Sequence, residues 1–156
     1  MTDVVDQLTR SRMMAGIKSK NTKPELIVRR FLHSQGFRYR LHDNKLPGKP
    51  DIVLPKYKMI IFVHGCFWHR HLSCKLATKP EQNQEKWQKK FMQNKDRDRK
   101  HIAELLGQGW RVTVIWECGL RSAKFNLLWC ENHIKYGIKQ FFQWPIEMET
   151  QRSINK

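Results

Sequence analysis

Apolar positions along this chain fall into blocks whose periods alternate between helix-like and strand-like. Thr22 is suited to cap a helix, with Glu25 three positions on as its capping-box partner and Pro24 in the first turn. Leu26, Ile27, Phe31 and Leu32 form the apolar stripe of that helix, and Gly36 ends it. Residues 37–41 alternate basic with apolar or aromatic side chains, and Leu46-Pro47-Gly48 is a turn signal. Residues 51–54 and 59–63 read as strands, and the second is apolar throughout, as a central strand covered on both faces should be. A long helix is predicted over about residues 84–106, closed by Gly107 and Gly109, followed by a buried strand over 111–116. A second long helix should include Phe125, Leu128, Trp129 and Ile134, and the last dozen residues look frayed. Helix, strands, helix, strand, helix is the order of an α/β fold, a small mixed β-sheet flanked by helices. The length favours one domain over residues 21–140, with an N-terminal arm at 1–20 and a C-terminal tail at 141–156.

Charge narrows the function. Thirty Lys and Arg face 14 Asp and Glu, a formal net charge of +16. In a compact domain that balance is the footprint of a nucleic-acid binder, since Lys and Arg gain affinity by releasing counterions from phosphates. The arm carries Arg10, Arg12, Lys18 and Lys20 around Met13, Met14 and Ile17, as a short amphipathic DNA-contacting segment would. No apolar run approaches the ~20 residues of a membrane span. The first residues lack a secretory pattern, so a cytoplasmic setting is expected, where four cysteines favour metal or free thiols over disulfides.

In so basic a chain, acids on apolar elements need a reason. Asp51 follows Pro50 and opens a strand, as either a turn residue or a hard-metal ligand. On the long helix, Trp87, Phe91, Asn94, Asp98 and Ile102 share one face. Asp98 therefore sits where a core side chain is expected and needs a partner, either Arg97 or Arg99 nearby, or a histidine that it orients as a general base.

The loop His64-Gly65-Cys66-Phe67-Trp68-His69-Arg70-His71-Leu72-Ser73-Cys74 concentrates soft ligands and aromatics after a buried strand. Cys66, His71 and Cys74 can converge on one ion, and Cys118 can complete a tetrahedral zinc site, although the spacing is irregular for a zinc finger. Cys130, beside Trp129, reads as a core thiol.

Taken together, these residues resemble the very-short-patch repair (Vsr) endonucleases. The matching pieces are Asn21-Thr22-Lys23-Pro24-Glu25, Leu46-Pro47-Gly48-Lys49-Pro50-Asp51 and Gly65-Cys66-Phe67-Trp68-His69. Trp87, Asn94, Arg97-Asp98, Gly109-Trp110-Arg111-Val112 and Ile115-Trp116-Glu117-Cys118 follow in family order. The resemblance implies a restriction-endonuclease-like fold that nicks double-stranded DNA 5′ to the thymine of a T·G mismatch left by deamination of 5-methylcytosine. It implies Asp51 as ligand of a catalytic Mg²⁺, His69 as catalytic histidine, Asp98 as its acid partner and Glu25 as an acidic helper. Cys66, His71, Cys74 and Cys118 would hold a structural Zn²⁺. Phe67, Trp68 and Trp87 would wedge into the base stack, and the segment around Met14, with Arg10 and Arg12, would enter the minor groove.

The wider fold usually carries an acid and a lysine on the strand after its aspartate, where this chain has Phe62-Val63-His64. Val63 can offer only its main-chain carbonyl to the Mg²⁺, His69 would replace the lysine, and His64 would contact the scissile phosphate. The expected partners are mismatched DNA, mismatch-repair proteins and a companion cytosine-5 methyltransferase, with the enzyme acting as a monomer. Two other functions remain open: a restriction-type nuclease without a mismatch requirement, and a zinc-stapled DNA-binding module without catalysis.

Overall fold

A computed structural model describes residues 20–122 and 126–146. Five strands form one mixed sheet in the order β1 (Arg40–Leu41), β2 (Ile52–Leu54), β3 (Met59–His64), β4 (Arg111–Trp116), β5 (Phe141–Trp144). The first three pair antiparallel, and β3, β4 and β5 run parallel. Among the described residues, four α-helices flank the sheet: α1 (Lys23–Ser34), α2 (Gln84–Gly107), α3 (Glu117–Arg121) and α4 (Leu128–Tyr136).

Period-two alternation divides the core into two layers. Met59 and Ile61 of β3 pack with Val28 and Leu32 of α1 and with Cys130 and Ile134 of α4. Ile60 and Phe62 face the other way, towards Leu105 of α2 and Val112, Val114 and Trp116 of β4. Covering both faces explains why β3 and β4 carry almost uninterrupted apolar residues. Cys130 is the core thiol expected from its neighbours, and burial pushes it up to about 12.

Local signals determine several boundaries. The Thr22 side chain accepts the Glu25 N–H at 3.4 Å, while the Glu25 carboxylate accepts from the N–H of Asn21 at 3.0 Å, so the cap closes one residue earlier than a standard box. Leu46-Pro47-Gly48-Lys49 is closed by the Lys49 N–H donating to the Leu46 carbonyl, with Gly48 at φ +77 where a turn with Pro second and Gly third requires it.

Two expectations need correction at the C-terminal end. The second long helix exists as α4, which carries Leu128, Trp129 and Ile134 but spans only nine residues; Phe125 lies outside the described residues. The segment assigned to a tail from 141 begins with β5, which pairs with β4 from Val112↔Phe141 to Ile115↔Trp144. Without β5, β4 would expose a row of unpaired backbone groups at the sheet edge. Arg111 fastens this region: its guanidinium donates to the carbonyls of His133, Ile134 and Gly137 around the end of α4, and to Tyr57. The predicted strand over 37–41 shortens to β1. No helix of the described residues is long and apolar enough to cross a membrane.

Candidate active site

β2 runs antiparallel to β3, so the start of β2 and the ends of β3 and β4 lie at one edge of the sheet. Ligand sites in α/β folds gather at the carboxyl ends of parallel strands. Here that edge opens into a cleft of about 770 Å³, lined by Asp51, Val63, His64, Trp68, His69 and Asp98 among others. Lys20, Lys49 and Arg97 give its lining a basic component.

Asp51 stands at the head of β2, and its Oδ2 accepts the Val63 N–H at 2.8 Å. Burial raises this carboxyl to about 6, despite that bond and the neighbouring His42 and His69, and nearby Glu25 pushes it the same way. A buried carboxylate beside a second one is a donor set that a divalent cation relieves.

His69 follows β3 by five residues. Its Nδ1 lies 2.6 Å from Asp98 Oδ2 on α2. An ionised carboxylate only accepts, so Nδ1 carries the proton of this bond and Nε2 is left to act as a base. The partner that Asp98 required is thus the histidine, not Arg97 or Arg99. One turn earlier, Asn94 donates to the Trp68 carbonyl at 3.1 Å, so the polar interruption of the α2 face holds the His69 loop at two points. His64 stacks on His69, centroids 3.8 Å apart and rings 3° from parallel. Burial, then the nearby His69, lowers the His64 imidazole well below its ordinary range.

On the far side of the same loop, ligand atoms of Cys66, His71, Cys74 and Cys118 all lie within 4.8 Å of one another. His71 Nδ1 is 3.7 Å from Cys66 Sγ and 3.4 Å from Cys118 Sγ. A tetrahedral zinc with bonds of about 2.0–2.3 Å separates its ligands by roughly 3.5–3.8 Å, so the donor set fits that ion. Cys118 N–H donates to Cys66 Sγ, while burial pushes the Cys66 and Cys118 thiols up, so that their thiolates form only with a cation to offset the charge. His71 lies flat against Trp116 at 4.2 Å.

Phe67, Trp68 and Trp87 are neither core residues nor bare. They form a half-buried cluster with Phe91, Phe67 touching Trp68, Trp87 and Phe91 edge-on at 5.1, 5.6 and 5.3 Å. Lys90 lies over both tryptophans. Met14, Arg10 and Arg12 lie outside the described residues.

The structure also brings in a residue that the sequence did not single out. His42 is opposite Asp51 in the β1–β2 hairpin, and its Nε2 lies 2.5 Å from Glu25 Oε1. Glu25, His42 and Asp51 form a further group with ligand atoms within 4.8 Å. Only the strand register reveals it.

A strand-end carboxylate facing a histidine–aspartate pair across a basic cleft defines a protein suited to phosphodiester hydrolysis, the chemistry of a nuclease. The family model for DNA mismatch endonuclease Vsr matches residues 2–76. The type II nicking enzyme V.NmeAIP of Neisseria meningitidis serogroup A is 49% identical over 78% of this chain and 86% of its own. The type II nicking enzyme V.XorIIP of Xanthomonas oryzae pv. oryzae is 46% identical over 77% and 88%. The DNA mismatch endonuclease Vsr of Escherichia coli K12 is 44% identical over 78% of each chain. The chain belongs to the DNA mismatch endonuclease Vsr family.

Proposed function

We propose that this mismatch endonuclease nicks double-stranded DNA on the 5′ side of the thymine in a T·G mismatch. The observation that carries the hydrolytic part is the His69–Asp98 pair at 2.6 Å, facing Asp51 within one cleft. Asp51 and the Val63 main-chain carbonyl would hold a Mg²⁺, which when bound stabilises charge on the cleaved phosphodiester. His69 takes the proton of the attacking water at Nε2, and Asp98 fixes the ring and stabilises the charge it gains. Glu25 supports the cation side of the site, and His64, stacked on His69, limits the rotation of that ring and faces the scissile phosphate. Cys66, His71, Cys74 and Cys118 would hold a Zn²⁺ that closes the loop carrying His69.

Recognition rests on the aromatic cluster. Inserting Phe67, Trp68 and Trp87 between base pairs costs a few kcal/mol of unstacking, and a wobble pair yields more readily than a Watson–Crick pair. Arg10, Arg12 and Met14 add minor-groove contacts. The enzyme acts in the cytoplasm on the nucleoid, as a monomer. Its products pass to mismatch-repair proteins, and its substrates arise where a cytosine-5 methyltransferase has acted.

The test is a nicking assay on otherwise identical T·G and T·A duplexes, with Mg²⁺ and with chelator. Metal-dependent cutting of T·G alone is the expected result. Equal cutting of both supports a restriction-type nuclease, and binding without cutting supports a non-catalytic module.

A further inference from the structure

We propose that His42 supplies a nitrogen ligand to the cation held at Asp51, with Glu25 adding an oxygen, so that the cleft prefers Mn²⁺ to Mg²⁺. This rests on the reading of Asp51 as a cation ligand and adds to it the identity of the ion.

Three separate elements deliver the donors. Glu25 comes from the first turn of α1, His42 from the residue after β1, and Asp51 from the residue before β2. Their ligand atoms lie within 4.8 Å of one another. Glu25 sits within a helix, and His42 and Asp51 each adjoin a strand that fixes their position.

The backbone of His42 ties it to Asp51 directly, in a left-handed conformation that it shares with Asn21, Lys49, Lys58, Arg70, Ser73 and Asn83. Its N–H donates to the Asp51 carbonyl at 3.2 Å, and its φ is +48. A side chain costs free energy in this left-handed region, where Gly or Asn is more comfortable. The imidazole is half-buried against Glu25, itself only 1% exposed.

Both carboxylate oxygens of Glu25 have partners, so a cation enters the trio by displacing the His42–Glu25 contact. Glu25 Oε2 accepts from Asn21 N–H at 3.0 Å, and its Oε1 meets both His42 and, at 3.5 Å, Arg29. Neighbouring ligands of an octahedral ion with bonds of about 2.1 Å stand roughly 3.0 Å apart, so Glu25 and His42 need part by only about half an ångström. Mg²⁺ keeps its waters and takes oxygen donors, whereas an imidazole nitrogen favours later divalent ions. Of the other histidines lining the cleft, His69 is bound to Asp98, His64 is stacked on His69, and none of these nor His101 belongs to the group formed by Glu25, His42 and Asp51.

The experiment uses the full chain and Mn²⁺ alone, read by pulsed electron paramagnetic resonance for coupling to ¹⁴N, with Mn²⁺ and Mg²⁺ affinities measured by titration calorimetry. Variants are His42→Asn, which suits the positive φ, His42→Gln, His69→Gln and Asp51→Asn, each checked for a wild-type melting profile. Nitrogen coupling should be present in wild type and His69→Gln and absent from both His42 variants. Those two variants should lose about 10-fold or more in Mn²⁺ affinity, the usual cost of a removed ligand-shell partner, with Mg²⁺ affinity changed far less. Coupling that persists without His42, or is missing from wild type with Mn²⁺ bound, overturns the inference while leaving Asp51 as a ligand. Mn²⁺ binding indifferent to Asp51→Asn overturns both.

Discussion

The loop after β3 has two sides, and they differ in almost every physical respect. Cys66, His71 and Cys74 turn inward with Cys118, soft donors packed against Trp116. Phe67, Trp68 and His69, between them in sequence, turn to the cleft and the aromatic cluster. The inward set is suited to a closed ion that contributes folding energy, and the outward set faces the carboxylates of the cleft and solvent. Donor chemistry together with exposure separates a strut from a reaction centre, even when their residues alternate along a few positions. The comparison is broken if damage on one side has the consequence assigned to the other.

The largest effect is expected from Asp51→Ala. Nicking should be lost while affinity for duplex, measured by filter binding, is kept or increased, because affinity comes from the basic surface and one negative charge has gone. Near-normal turnover would remove Asp51 from the chemistry. Next, His69→Ala should cost ~10²–10⁴-fold in single-turnover rate, the usual span for a general base, and Asp98→Asn somewhat less. Since Asp98 acts through His69, the double variant should be little worse than His69→Ala; multiplied losses would give Asp98 an independent task.

On the inward side, fresh protein should contain about one zinc by metal analysis. Cys66→Ser or Cys118→Ser should lower the melting temperature sharply, because ligation is folding free energy. Cys130→Ser should be mild. Loss of nicking at an unchanged melting temperature would erase the proposed division. Trp68→Ala is expected to be smaller, about 10-fold in the ratio of T·G to T·A nicking rates, the ~1–3 kcal/mol scale of a stacking contact. An unchanged ratio in a folded variant would end its role as a wedge.

The smallest and most graded effect is with pH. In protein free of divalent cations, Asp51 is raised from 3.8 to about 6, so its native state holds a proton that the unfolded chain releases earlier. Stability should therefore fall as pH rises from about 4 to 6, and cation affinity should fall as pH drops through about 6. Calorimetry at pH 5 and 7.5 would show the second effect, and Asp51→Asn should flatten the first.

Local chemistry was legible in the sequence because it is written locally. Asp98 stood out by interrupting an apolar helical face, and its partner proved to be His69 rather than Arg97 or Arg99. Thr22 and Gly48 announced a cap and a turn through residue types whose backbone needs are known. His42 could not be found that way. Its importance depends on pairing position 42 with 51 across a hairpin, and nothing in a His-Asp-Asn stretch states the register. The same reason hid β5: four residues, exposed or half-buried, become a strand only because β4 offers an edge. Chemistry carried by periodicity was readable; chemistry created by strand pairing was not.

The Arg111 guanidinium has a consequence for the order in which the chain assembles. β3, α2 and β4 all precede residue 117, and without the chain beyond them Arg111 lacks three of its four carbonyl partners. Those carbonyls belong to His133, Ile134 and Gly137 and arrive only with α4. Until then a partly buried cation is short of acceptors, and once they arrive several charge-assisted bonds form together. The end of the fold should therefore dock as one step rather than residue by residue. Lysine at this position, a point charge without the planar fork, should leave α4 and β5 exchanging their amide hydrogens faster than the rest of the sheet.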